Sequence, residues 1–139
     1  MKSKTVVDGR RAVQIAQAGC EFAGGRQWNI SICVVDDGGH ILALHRMDAA
    51  APGTAQVAAE KARSAALFRA STKLFEDFVT AGRNAMLTLP GSLPIQGGIP
   101  IHSGDAVAGA VGVSGVQSHE DEEIAMKAIA ILSARNPAP

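Results

Sequence analysis

The chain has 139 residues, of which 47% are hydrophobic and 19% charged, and its 13 basic residues balance its 13 acidic ones. That length supports one domain with a single sizeable core, and that hydrophobicity excludes a disordered chain. The charge balance offers no global field to nucleic acid or an anionic membrane, and the lack of tyrosine, with aromatics at 4%, removes the stacking platforms of a single-strand nucleic-acid binder.

From Thr5 to Ala23, the residues Ala12, Ile15, Ala16, Gly19, Phe22 and Ala23 recur at helical spacing, with Arg10, Arg11, Gln14, Gln17 and Glu21 largely elsewhere. The pattern predicts an amphipathic helix that Gly24 and Gly25 end. Asp8, Arg10 and Arg11 stand where a signal peptide needs its apolar run, and no later segment reaches membrane-spanning length. The expectation is a cytoplasmic protein with no membrane partner. Cys20 and Cys33 lie in apolar patterns without CxxC or zinc-like spacing and read as buried free thiols rather than a disulfide.

NISICVVDDGGHILALHRMD reads as two strands, about Asn29 to Val35 and His40 to Arg46, joined by a tight turn at Asp37, Gly38 and Gly39. AQVAAEKARSAALFRAS predicts a helix whose small side chains permit close backbone packing. TKLFEDFVTAGR predicts a second helix, capped by Ser71 or Thr72, with Leu74, Phe75, Phe78 and Val79 toward the core. IPIHSGDAVAGAVGVSG supplies another hairpin, turning at Ser103, Gly104 and Asp105, with a long strand from Val107 to Val113. SHEDEEIAMKAIAILSAR closes the chain as a helix with Ser118 and Asp121 as a capping pair, and Pro137 ends it. No strand is followed by the crossover that a parallel sheet needs, so the order of elements predicts an α+β fold, an antiparallel sheet with helices packed on it.

Between these elements, LPIQGGIPI sets two prolines and two glycines among branched apolar residues, poor material for a helix or an ordinary strand. Gly97 and Gly98 permit close approach to the main chain while Pro94 and Pro100 stiffen the flanks. The segment then serves as a pocket wall whose glycine N–H groups meet a ligand's oxygens, or as a subunit contact. Several side chains offer chemistry nearby in sequence. His45, Arg46 and Asp48 end a strand where polar groups often face a bound molecule, although an Arg46–Asp48 surface ion pair accounts for two of them. Lys61, inside an alanine-rich helix, needs a carboxylate, a carbonyl or a ligand anion if it is buried. His119, Glu120 and Glu123 place imidazole and carboxylate ligands one turn apart for a metal, while acids at a helix start also stabilise it unaided. His40 and His102 sit at hairpins and read as exposed. No serine has a nucleophile's context, and no phosphate-loop pattern occurs.

VVDDGGHILALHRMD, AAEKARSAALF, LPGSLPIQGGIPI and GAVGVSGVQSHEDEEIA, in that order, resemble the GlcG/HbpS family, which includes the C-terminal domain of PduO-type proteins. The resemblance spans nearly the whole chain and implies a profilin-like fold with helices on both faces of the sheet. It also implies haem or a related tetrapyrrole as cofactor, a homo-oligomer, commonly an octamer, and a setting in small-molecule catabolism. In some members a histidine of the N-terminal helix ligates haem iron. Thr5 to Ala23 holds no histidine here, so an iron ligand falls to His45, His102, His119 or a non-histidine group, with Gln96, Gly97 and Gly98 as further cofactor contacts. Two other readings stand beside haem binding. One is a small catabolic enzyme with a pocket near Arg46, Asp48, Lys61, Gly97 and Gly98, in which an arginine or lysine holds a carboxylate or an enolate and Asp48 or a glutamate of the last helix moves a proton. The other is an accessory scaffold protein.

Overall fold

The structure, a computed structural model, describes residues 1–134, so the helix stop assigned to Pro137 lies outside the described residues. In chain order the elements are α1 (Gly9–Gly25), β1 (Ser31–Asp36), β2 (Ile41–Arg46), α2 (Gly53–Phe68), α3 (Thr72–Thr80), a 3-10 turn (Asn84–Thr88), β3 (Gly98–Ser103), β4 (Ala106–Ser114) and α4 (Ser118–Ala134). The four strands form one antiparallel sheet in the order β2-β1-β4-β3.

Strand alternation divides the core. Ile32, Val34, Val111, Val113 and Ile101 turn to one face, where Ala12, Ile15 and Ala16 of α1 and Ile124, Ala125 and Ala128 of α4 cover them. Cys33, Val35 and Ala110 turn to the other, against Ala58, Ala62, Ala65 and Ala66 of α2. Helices therefore pack on both faces of an α+β fold. Fully burying the side chain of a valine or isoleucine contributes about 1.5–3 kcal/mol, which makes the central strands β1 and β4 the heart of the fold. Among the described residues no helix is long and apolar enough to cross a membrane.

Local chemistry explains where several boundaries differ from the periodic pattern. The first helix starts at Gly9, because Asp8 caps it by accepting the Arg11 N–H at 2.8 Å. The residues before it run along the second hairpin, where the Val7 N–H meets the Ala108 carbonyl. Gly24 and Gly25 stay helical, and the chain turns at Arg26 and at Gln27, whose φ is +61°. Ser71 is the cap of α3, its hydroxyl accepting the Lys73 N–H. Leu74, assigned by spacing to the core, is 46% exposed, since this short helix buries only Thr72 and Phe75. The start of α4 is held by Asp121 and Glu120, which accept the N–H groups of Val116 and Gln117, rather than by Ser118. Finally, Gly98–Ser103 is the first strand of the expected second hairpin and takes in the end of LPIQGGIPI. It lies at the sheet edge, where half the backbone donors need no partner and Pro100 is tolerated.

Candidate functional site

LPIQGGIPI ends in a closely packed knot. Gly98 and Gly112 are neighbours across β3 and β4 and present a surface without side chains to α2. A Cβ at Gly112 would overlap the Ala58 carbonyl, and one at Gly98 the Lys61 carbonyl. The glycines thus serve the approach of a helix backbone, and the small residues Ala58 and Ala62 on the helix complete the fit.

Lys61 lies in this contact, 2% exposed. Its ammonium donates to the Val113 carbonyl at 2.9 Å and to Asp121 Oδ2 at 3.0 Å. Asp121 Oδ1 in turn accepts the Val116 N–H at 3.2 Å. Burial pushes the Asp121 carboxyl up from its ordinary range, against the opposing pull of the Lys61 charge and hydrogen bond. Gly97, at φ +133°, passes directly over the pair, and a Cβ there would come within 2.8 Å of Lys61 Nζ. The Gly98 N–H is taken by Thr72 Oγ1 at 2.9 Å. Lys61 therefore meets a carboxylate and a carbonyl of its own chain, and the Gly98 amide is spent on a hydroxyl. Lys61 and Gly98 thus take part in a helix-to-sheet joint within one chain.

Open space lies across the sheet. Val13, Ala16, Gln17 and Cys20 of α1, at helical spacings of three and four, face Leu42, Ala43, Leu44 and His45 of β2 over a half-open cleft of about 640 Å³, with Glu21 on its rim. That volume falls within the range of small-molecule and cofactor sites, and most of the walls are apolar. His45 pairs with Ile32 and Ala43 with Val34, so both side chains belong to the α1 face. The Cys20 thiol is pushed up from its ordinary value, by burial first and by the Glu21 charge second. Burial alone pushes Cys33 up to about 12. Both cysteines are free.

The other sequence candidates scatter. Arg46 and Asp48 are exposed, and no ion pair joins them among the described residues. Arg46 pairs with Ser31, whose hydroxyl meets Thr54 on the α2 side, so Arg46 and His45 lie on opposite faces. The Gln96 N–H points to Glu76 at 3.4 Å. Glu120 is occupied by the Gln117 N–H, Glu123 pairs with Arg26 at 3.2 Å, and His119 is exposed. Among the described residues no three His, Cys, Asp or Glu side chains are grouped to hold a metal ion. The α1–β2 cleft is lined by His45 and by none of Arg46, Asp48, Lys61, Gln96, Gly97 or Gly98. The α1 wall escaped sequence reading because Gln17 and Glu21 look like a solvated face. The usable signal was Val13, an apolar residue off the core stripe.

A family profile described as "Haem degrading protein HbpS-like" matches residues 7–130. The chain belongs to this HbpS-like family. It is 46% identical over 114 residues to Protein GlcG of Escherichia coli (strain K12), covering 82% of this chain and 85% of that one. Among crystal structures, Klebsiella pneumoniae protein ORFY superposes with a TM-score of 0.90 at 29% identity, over 96% of this chain and 95% of that one. A Streptomyces reticuli HbpS double mutant gives 0.88 at 28%, over 95% and 90%. A PduOC:heme complex gives 0.81 at 24%, over 91% and 94%, a likeness of fold. The HbpS-like architecture anticipated from the motifs is thus shared along almost the entire chain.

Proposed function

We propose that this protein binds haem or a related tetrapyrrole in the α1–β2 cleft, with His45 as the iron-ligating side chain. The observation that carries the reading is an apolar cleft of about 640 Å³ with an imidazole in its wall. The residues present fit such a group: Val13, Ala16, Leu42 and Ala43 offer apolar contact to a flat macrocycle, and His45 offers a nitrogen donor. When bound, haem supplies a redox-active iron. The chain's own part is to hold the ring between a helix and a strand and to limit water at its apolar side. Membership of a family described as haem-degrading and the fold shared with a haem complex support the choice of ligand.

Two free cysteines suit the reducing cytoplasm, where we place the protein as a homo-oligomer, with the octamer as its assembled form. The Lys61 ammonium is committed within the fold, which weighs against the carboxylate-enzyme reading and leaves it the exposed Arg46. Haem titration tests the proposal. The parent is expected to give a Soret band that shifts and weakens in His45→Ala but persists in His102→Ala and His119→Ala. An unchanged spectrum in His45→Ala would overturn the assignment.

A further inference from the structure

The two edges of the sheet are unlike. β3 carries Pro100 and a register shift at Ile101/His102, devices that discourage another strand from adding to an edge. β2 has neither proline nor lysine. Its own register shift, at Val34/Val35, falls beside its first residue and leaves Ala43 to Arg46 regularly paired with β1. The Met47 N–H bonds the Ile30 carbonyl. Antiparallel alternation from that bond turns the N–H and C=O groups of His45 and Ala43 toward β1, and those of Leu44 outward. The side chains at this edge are also apolar and uncovered, with Ile41 56% and Leu44 43% exposed.

We propose that β2 pairs antiparallel with β2 of a second copy, about a two-fold axis at Leu44, and that the pairing joins two half-open α1–β2 clefts into one chamber lined by both His45 side chains. A two-fold centred on a residue of the strand matches outward-facing groups with outward-facing groups, and at Leu44 it sets an exposed apolar side chain against its own copy. Charge favours a second copy over a charged partner. The strand ILALHR has no acidic residue, its arginine sits at one end, and a two-fold at Leu44 sets each Arg46 beside Leu42 of the second copy. Parallel pairing in register would set arginine beside arginine. The chain's formal net charge of +0 adds no long-range repulsion between copies. Side-chain alternation is preserved across the junction, so Ala43 and His45 of both copies share the α1 face while Ile41 and Leu44 share the α2 face. Each cleft then gains a wall from the other copy.

The strand pairing stands on the edge geometry alone, whereas the chamber rests on the haem reading. Cross-linking separates them. Leu44→Cys in a Cys20→Ser background is expected to form an intermolecular disulfide under mild oxidation, because directly paired residues in a hydrogen-bonded site lie about 5.5 Å apart at Cα, within disulfide reach. Ile95→Cys in the same background is expected not to. Leu44→Lys, with unchanged circular dichroism, is expected to lower the light-scattering mass at least about twofold and to weaken haem binding at least about tenfold although His45 is intact. Absence of the Leu44→Cys cross-link, or an unchanged mass for Leu44→Lys, overturns the pairing whatever haem does. A cross-link in a protein whose parent gives no Soret band removes the haem reading and leaves the pairing. Full haem affinity in dissociated Leu44→Lys overturns the shared chamber.

Discussion

Two of the helices packed on this sheet, α1 and α2, leave opposite amounts of room beneath them. Under α2 the sheet offers Gly98, Gly112 and Ala110, the helix answers with Ala58, Ala62, Ala65 and Ala66, and the contact closes with a buried ion pair. Over β2 the helix α1 reaches beyond the fully buried core, and Val13, Cys20, Leu42 and His45 surround space instead of filling it. Glycines next to prolines suggest a binding loop on general grounds, yet here they mark where two backbones touch. Room for a ligand appears at the sheet's margin, where a helix has only half a surface to cover.

If the α2 contact is structural, breaking its ion pair has the largest effect in the molecule. Asp121→Ala strands the Lys61 charge in the core and orphans the Val116 N–H, an expected loss of about 3–5 kcal/mol in urea unfolding. Lys61→Met with Asp121→Leu is expected to recover much of that loss, since neither charge then remains buried. Gly98→Ala drives a methyl group into the Lys61 carbonyl and is expected to cost about 1–3 kcal/mol. A Gly98→Ala protein of parental stability would show that the joint has slack, and would reopen the segment as a ligand wall.

The cleft responds to different probes. With its thiol pushed above the ordinary value of 9.0, Cys20 holds little thiolate near neutral pH. Its alkylation is therefore slow there and accelerates as the pH rises. Haem in the cleft is expected to suppress that reaction at least about fivefold, while Cys33 reacts only after unfolding. Equal Cys20 alkylation with and without haem would separate the ligand from the α1 wall. The smallest effect belongs to Ile95, the exposed tip of LPIQGGIPI. Ile95→Ser is expected to change stability by less than about 0.5 kcal/mol and haem binding not at all.

The elements themselves were legible because each carries a local cause. DDGG dictates a hairpin between VV and ILAL, alanine spacing dictates α2, and the acids of SHEDEE mark a helix start. Edge against centre was not legible in LPIQGGIPI, since Pro100 excludes a central strand but does not announce an edge one. Lys61 needs a partner only once it is buried, and the sequence left its burial open. That the partner is Asp121, sixty residues on, is a long-range fact that no local pattern holds, and Asp121 in sequence looks only like a helix cap. His45 stood out as a polar residue at a strand end, but its separation from Arg46 follows from the register of β1 and β2, which places neighbours in sequence on opposite faces.

Equilibrium haem titration of the parent beside His45→Ala, followed at the Soret band, tests the cleft most directly. The α1–β2 assignment leads to a saturable parental spectrum and, for His45→Ala, a displaced band with affinity lowered at least about tenfold. Identical band position and affinity in the two proteins would contradict it.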